Sequence, residues 1–220
     1  MKNFAGIRTI AGKDFYKIRE YHQTSFDYVI DIGANVGQFT LMSYILFPYA
    51  KIISYEPCIE TYKVLCENMA DLPVVLINKA VGDGQPLYFK PSGSKSLTCV
   101  GNLFKKNDTG NYKIESVTVE TLFKYHDIDT SKNILMKINC EGGEQYILQD
   151  KYKDILLKCK HLAMDLHFQC DRNRNFDDFP EWSEYNNWIQ KIFKSTHSIL
   201  YHFSSKKRGR GVYVIRKEIK

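Results

Sequence analysis

The chain has 220 residues, 44% hydrophobic and 25% charged, with 6 Pro and 13 Gly; this composition excludes a disordered or collagenous chain and fits one globular unit. Its 31 basic and 25 acidic side chains leave a net charge of +6, suited to an acidic or phosphorylated partner without being diagnostic of nucleic-acid binding. Cys58, Cys66, Cys99, Cys140, Cys159 and Cys170 form no C-x-x-C pair, which argues against a disulfide scaffold and a structural zinc site.

Met1-Lys2-Asn3 leads into Arg8, Lys13 and Asp14 instead of a cleavable signal. The longest apolar run, Leu41 to Phe47, is too short to span a bilayer. A reduced, cytoplasmic setting is the expectation. Residues 1–26 read as a helical N-terminal appendage, and 27–220 as one domain.

Strand-like and helix-like stretches then alternate. Tyr28 to Asp31 is a buried-strand run, followed by glycines and a helical stretch from Phe39 to Phe47, closed by Pro48. Lys51 to Tyr55 is a second strand, ending at Glu56-Pro57. A helix from Ile59 to Met69 and a third strand, Val74 to Ile77, come next. Residues 84 to 117 hold Leu87-Tyr88-Phe89 and Ile114 to Val119 between polar turns, which predicts an inserted hairpin excursion. Ile134 to Ile138 and His161 to Met164 are further strands, with a short helix after Gly143. Trp182 to Phe193 has helical spacing. Ser198 to Phe203 and Gly211 to Arg216, joined by a short turn, predict an antiparallel pair. The class is α/β, with a mostly parallel sheet covered on both faces.

Val29-Ile-Asp-Ile-Gly-Ala-Asn-Val-Gly37 places a glycine turn between a buried strand and a helix. Such a turn lets backbone approach a ligand and offers helix N–H groups to it. Asp31 sits at the strand end, where open α/β sheets bind ligands. Asn35 and Gln38 stand where G-x-G-x-x-G would need glycine, and no phosphate-loop Lys-Ser/Thr follows. Glu56 ends the next strand, about where an acid receives ribose hydroxyls. Together these favour an adenosine derivative without a pyrophosphate.

Asp31-Ile-Gly-Ala-Asn-Val-Gly37 followed by Tyr55-Glu-Pro57 resembles the first two motifs of class I S-adenosylmethionine-dependent methyltransferases. Asn78 to Asp83, Ser94 to Leu97, Val117 to Leu122 and above all Lys137-Ile-Asn-Cys-Glu-Gly-Gly-Glu144 resemble one family among them, the FkbM-type methyltransferases. The resemblance implies a Rossmann-like class I methyltransferase fold, S-adenosylmethionine as cofactor, and O-methylation of a hydroxyl on a sugar, glycan or small molecule. It places cofactor binding at Asp31, Gly33, Asn35, Gly37, Glu56, Val81, Asp83 and Asn139. Asp31 and Glu56 would hold the nucleoside, Gly33 and Gly37 would give space, and Asn35 would bond the methionine part. Two departures stand out: Asn139 replaces the family's aspartate, and Asp165-Leu-His167 replaces E-x-H.

The hydroxyl must lose a proton. His167, just past a strand end, is the expected base because neutral imidazole accepts a proton near pH 7. Glu141 is the alternative, with Glu144 expected to stabilise a helix N-terminus and Lys137 expected to pair with one of these acids. Nothing requires a metal; Asp165, His167 and Glu141 would be the ligands for one. Lys206-Lys-Arg-Gly-Arg210 reads as a solvated turn, or as recognition of phosphate or carboxylate on a sugar acceptor or RNA. Phe168, Phe176, Phe179, Trp182, Tyr185 and Trp188 offer an apolar or sugar-stacking wall, although the Trp182 to Trp188 spacing favours core. The alternatives to O-methylation are an RNA methyltransferase using the basic turn and a nucleoside-binding domain without catalysis.

Overall fold

The structure, a computed structural model, describes residues 14, 16–21, 23–91, 101–104, 112–167, 181–205 and 210–217. The first half alternates β1 (Tyr28–Ile32), α1 (Gln38–Leu46), β2 (Lys51–Tyr55), α2 (Ile59–Asn68) and β3 (Val74–Ile77). The middle carries β4 (Ala80–Val81), β5 (Leu87–Pro91), β6 (Gly101–Phe104), β7 (Tyr112–Ile114), β8 (Ser116–Val117) and α3 (Val119–Tyr125). The last part holds β9 (Ile134–Ile138), α4 (Glu144–Ile147), α5 (Lys153–Leu156), β10 (His161–His167), α6 (Trp182–Phe193), β11 (His197–Ser205) and β12 (Arg210–Lys217).

Seven strands form the main sheet in the order β11-β12-β10-β9-β1-β2-β3. β1 pairs in parallel with both β2 and β9, β3 extends β2, and β10 extends β9. β12 alone runs antiparallel, between β10 and β11. The chain therefore leaves β1 toward one edge and returns to build the other edge from β9. That reversal opens a crevice at the carboxyl ends of β1 and β9, the usual ligand position in such sheets.

The strands are Val- and Ile-rich because both faces are covered. Every residue of β9 and β10 is buried. Alternate residues feed two cores. Ile30, Ile53, Met136 and Met164 pack under Leu122, Ile189 and Phe193 from the helices on one face. Val29, Ile52, Leu135 and Ala163 pack under Phe39 on the other, together with Tyr16, Ile18 and Phe26 from the segment before β1. Of the expected N-terminal appendage, residues 1–13 lie outside the described part, and the stretch before β1 contains a 3-10 turn, Ile18–Tyr21.

The excursion after β3 contains the expected hairpin: β5 pairs antiparallel with both β6 and β7. The expected strand from Ile114 to Val119 is corrected. It stops at Val117, because the Thr118 side chain accepts the backbone N–H of Thr121 and caps α3. Val119, Leu122 and Phe123 then share the buried side of that helix. Among the described residues, no helix is long and apolar enough to cross a membrane.

Candidate active site

The site begins with a buried charge. Lys137 of β9 extends its ammonium to Asp31 of β1, with Nζ 2.9 Å from Oδ1. The same nitrogen donates to the carbonyls of Ile32 at 3.2 Å and Gly33 at 2.6 Å, so all three of its protons have acceptors. The other oxygen of Asp31 accepts from Thr40 Oγ1 at 2.8 Å, and Thr40 in turn meets Ser54 Oγ. Burial opposes the Lys137 cation, but the Asp31 carboxylate and its hydrogen bond, together with Tyr16 and Cys140, outweigh it and raise the lysine above its ordinary pKa. The expected pairing of Lys137 with Glu141 or Glu144 is thus corrected: neighbours in β1 and β9 put it opposite Asp31.

The glycine loop is clamped from two sides. Gly33 and Ala34 donate their N–H groups to the Tyr55 carbonyl, and Asn35 donates its N–H to Glu56 Oε2 at 2.8 Å. Asn35 has a φ of 53°, tolerable for asparagine, and its Oδ1 accepts from the N–H of Val36. Gly33 and Gly37 both have left-handed backbones, at φ 79° and 92°. A Cβ on Gly33 would stand 1.8 Å from the Asn139 carbonyl oxygen, and one on Gly37 would stand 2.7 Å from Leu65 and Met69. The left-handed backbone at both positions, and at Gly33 the Asn139 carbonyl as well, are reasons within the protein for glycine here.

Glu56 is 6% exposed. Its Oε1 accepts from the N–H of Cys58 and its Oε2 from that of Asn35, leaving lone pairs on both oxygens for a diol. Burial pushes its pKa up to about 7, against the lowering effect of those two N–H groups. Asn78, quoted in a motif but given no role, donates Nδ2 to the carbonyls of Glu56 and Pro57. It thereby ties the segment leading into Val81 and Asp83 to the end of β2. Val81 is buried in β4, and Asp83 accepts from the N–H of Gln85.

A second group hangs on the loop after β9. Glu144 is fully buried; its Oε1 accepts from the N–H of Cys140 and its Oε2 from that of Gly142, each at 2.8 Å. Its Oε1 also lies 3.1 Å from His167 Nδ1. On the other side of the ring, Nε2 is 3.1 Å from Glu141 Oε2, a charge pairing without hydrogen-bond alignment. Glu141 has a φ of 51° and keeps 30% of its side chain exposed. Such a backbone in a branchless but long residue costs about 1 kcal/mol. It turns the carboxylate back onto the histidine.

Burial opposes the His167 cation, but the charge of Glu144 and the contacts with both carboxylates outweigh it and raise its pKa to about 10. Set between two carboxylates, the ring is biased toward the imidazolium form, which weighs against the neutral imidazole base expected from the sequence. The open, acceptor side of this group is Glu141. Asn139 joins the halves, since its N–H bonds Ile32 at the end of β1 and its chain continues into Cys140 and Glu141.

Within the aromatic wall, Tyr185 is buried and Trp182 and Trp188 pack against the same core; Trp188 Nε1 donates to Asp150. Phe168, Phe176, Phe179, Ser94 to Leu97 and Lys206 to Gly209 lie outside the described residues. Among the described residues, no cluster of three or more His, Cys, Asp or Glu side chains is arranged to hold a metal.

The methyltransferase FkbM domain model matches residues 31–193, a stretch holding both halves of this site. The chain belongs to the FkbM methyltransferase family. No curated protein matches it by sequence. Among solved structures it resembles a protein of Klebsiella pneumoniae provisionally named an O-methyltransferase, at 9% identity and a TM-score of 0.53, over 95% of this chain and 81% of that one. It also resembles a provisionally named rRNA methylase of Clostridium thermocellum, at 10% identity and a TM-score of 0.52, over 94% of each chain. A third is a Staphylococcus aureus protein provisionally named a caffeoyl-CoA O-methyltransferase, at 10% identity and a TM-score of 0.52, over 97% and 93%. These likenesses establish the Rossmann-like class I methyltransferase fold.

Proposed function

We propose that the protein is an S-adenosylmethionine-dependent O-methyltransferase acting on a hydroxyl of a sugar, glycan or small molecule. The observation that carries this reading is Glu141, a partly exposed carboxylate held by the His167 imidazolium at the end of the crevice. The donor site fits the residues present: Glu56 has free lone pairs for a ribose diol, and Asn139 Oδ1 is a buried acceptor without a hydrogen-bond partner among the described residues.

S-adenosylmethionine supplies a methyl group on a sulfonium. Glu56 would hold the ribose, Asn35 and Asn139 the amino-acid end, and the Asn78-tethered stretch with Val81 and Asp83 would serve the adenine. Glu141 would accept a hydrogen bond from the acceptor hydroxyl and take its proton as that oxygen receives the methyl group, the S–CH3 bond breaking and the neutral thioether, S-adenosylhomocysteine, leaving. A carboxylate suffices, because the oxygen becomes strongly acidic as its new bond forms. His167 and Glu144 hold Glu141 in place, and positioning supplies most of the acceleration.

The test is transfer of labelled methyl to a panel of neutral sugars, acidic sugars, phenols and RNA. Glu141→Gln is expected to lower turnover by about 10²-fold while S-adenosylhomocysteine binds as before. Undiminished turnover in that variant removes Glu141 from the reaction. Label on RNA alone favours the RNA reading, and label on nothing favours a binding domain.

A further inference from the structure

Tyr16 lies outside the residues matching the family, 31–193, yet its hydroxyl meets Asn139 at the end of β9. The ring is buried and stands edge-on to Phe39 of α1, with centroids 5.6 Å apart at 86°. Its carbonyl oxygen is 3.2 Å from His161 Nε2 at the start of β10. Its hydroxyl is 3.3 Å from Asn139 Nδ2, just beyond the end of β9. The residue thus runs along one face of the sheet, anchored at the amino end of β10 and reaching the carboxyl edge where the glycine loop sits.

Both anchors are uncharged. Burial, aided by Arg216, holds the His161 pKa down to about 3, so its Nε2–H donates to the Tyr16 carbonyl. Burial lifts the Tyr16 hydroxyl to about 12, so the hydroxyl keeps its proton and accepts from the Asn139 amide. Asparagine rotates freely about its terminal torsion unless a partner holds it. Tyr16 is that partner, and the hydrogen bond leaves Asn139 Oδ1 buried without one among the described residues. A buried amide oxygen in that state calls for an N–H donor, and the donor's amino-acid end carries an ammonium group.

We infer that Tyr16 is a positioning residue for methyl-donor binding: it pins the Asn139 amide so that Oδ1 faces the ammonium group of the donor. The inference rests on the donor-site reading above.

The test is calorimetric binding of S-adenosylhomocysteine and of its analogue with the α-amino group replaced by hydrogen, to the full chain and to Tyr16→Phe. Phenylalanine keeps the ring against Phe39 and removes only the hydroxyl. The unaltered chain is expected to prefer the natural ligand about tenfold, and Tyr16→Phe only about twofold, as coupled groups behave in a cycle. Asn139→Ala, which leaves Tyr16 in place, is expected to show the same reduced preference. No binding by the unaltered chain overturns the donor-site reading and this inference with it. Binding by the unaltered chain, with its preference undiminished in Tyr16→Phe or in Asn139→Ala, overturns this inference alone. A lowered melting temperature in Tyr16→Phe with unchanged preference also overturns it, because that is a purely structural role.

Discussion

Lys137 Nζ and Asp31 Oδ1 are 2.9 Å apart, with side chains 5% and 0% exposed. The residues are 106 positions apart in sequence and adjacent in the sheet, where Asp31 pairs directly with Lys137 between β1 and β9. The ammonium also bonds two carbonyls of the chain entering the glycine loop. One ion pair therefore holds the two central strands and the mouth of the site together.

Removing one partner leaves the other charge buried without its counterion. Lys137→Met is expected to lower unfolding free energy by about 3–5 kcal/mol, measured by urea titration. Lys137→Met with Asp31→Asn should recover a substantial part of that loss. A Lys137→Met variant as stable as the unaltered chain contradicts the buried pairing.

His167 ties stability to pH. Its folded pKa, about 10, lies above the ordinary histidine value of 6.5, so the stabilisation is complete below about pH 6.5 and is lost as pH rises through 10. His167→Gln should flatten that decline and cost about 3 kcal/mol at pH 7, seen in melts across pH 6 to 10. Turnover in the unaltered enzyme should show no rise centred at pH 6.5. A rise there, absent in His167→Gln, restores the imidazole as base.

Glu56 gives the opposite dependence for ligand binding. Its pKa of about 7 means that ribose hydroxyls meet a carboxylate only as pH rises through neutrality. Affinity for S-adenosylhomocysteine should climb about tenfold from pH 6 to pH 8, and the climb should vanish in Glu56→Gln. A flat profile in the unaltered chain removes Glu56 from the ribose site.

Gly33→Ala places a methyl group into the Asn139 carbonyl at a left-handed backbone position. It should destabilise the chain by about 2–4 kcal/mol and weaken donor binding together with stability. Normal stability with normal binding contradicts the close approach of the two loops.

Much of the frame was readable from composition and breakers. Lys51–Tyr55, Val74–Ile77 and Ile134–Ile138 are apolar runs bounded by turn or polar residues, and local preference agrees with burial in the first and third and with half-burial at the sheet edge in the second. Val119 failed that logic, because Thr118 caps a helix and local hydrogen bonding overrides β-branched preference. At the site, the identities of Asp31, Glu56, Glu141 and His167 were visible as strand-end residues. Their charge states were not, since Glu144 lies 23 positions from His167 and only the folded loop delivers it. Tyr16 was hidden for a similar reason: nothing local in its surroundings points to Asn139.

The central claim is an S-adenosylmethionine site, and thermal unfolding with S-adenosylhomocysteine tests it most directly. At about 100 times the dissociation constant, binding to the folded chain alone adds about 2.7 kcal/mol, which is a rise of about 5–10 °C for a chain of this size. That rise is expected with S-adenosylhomocysteine, and none is expected with NAD or ATP. No rise with S-adenosylhomocysteine, or an equal rise with all three, contradicts the site.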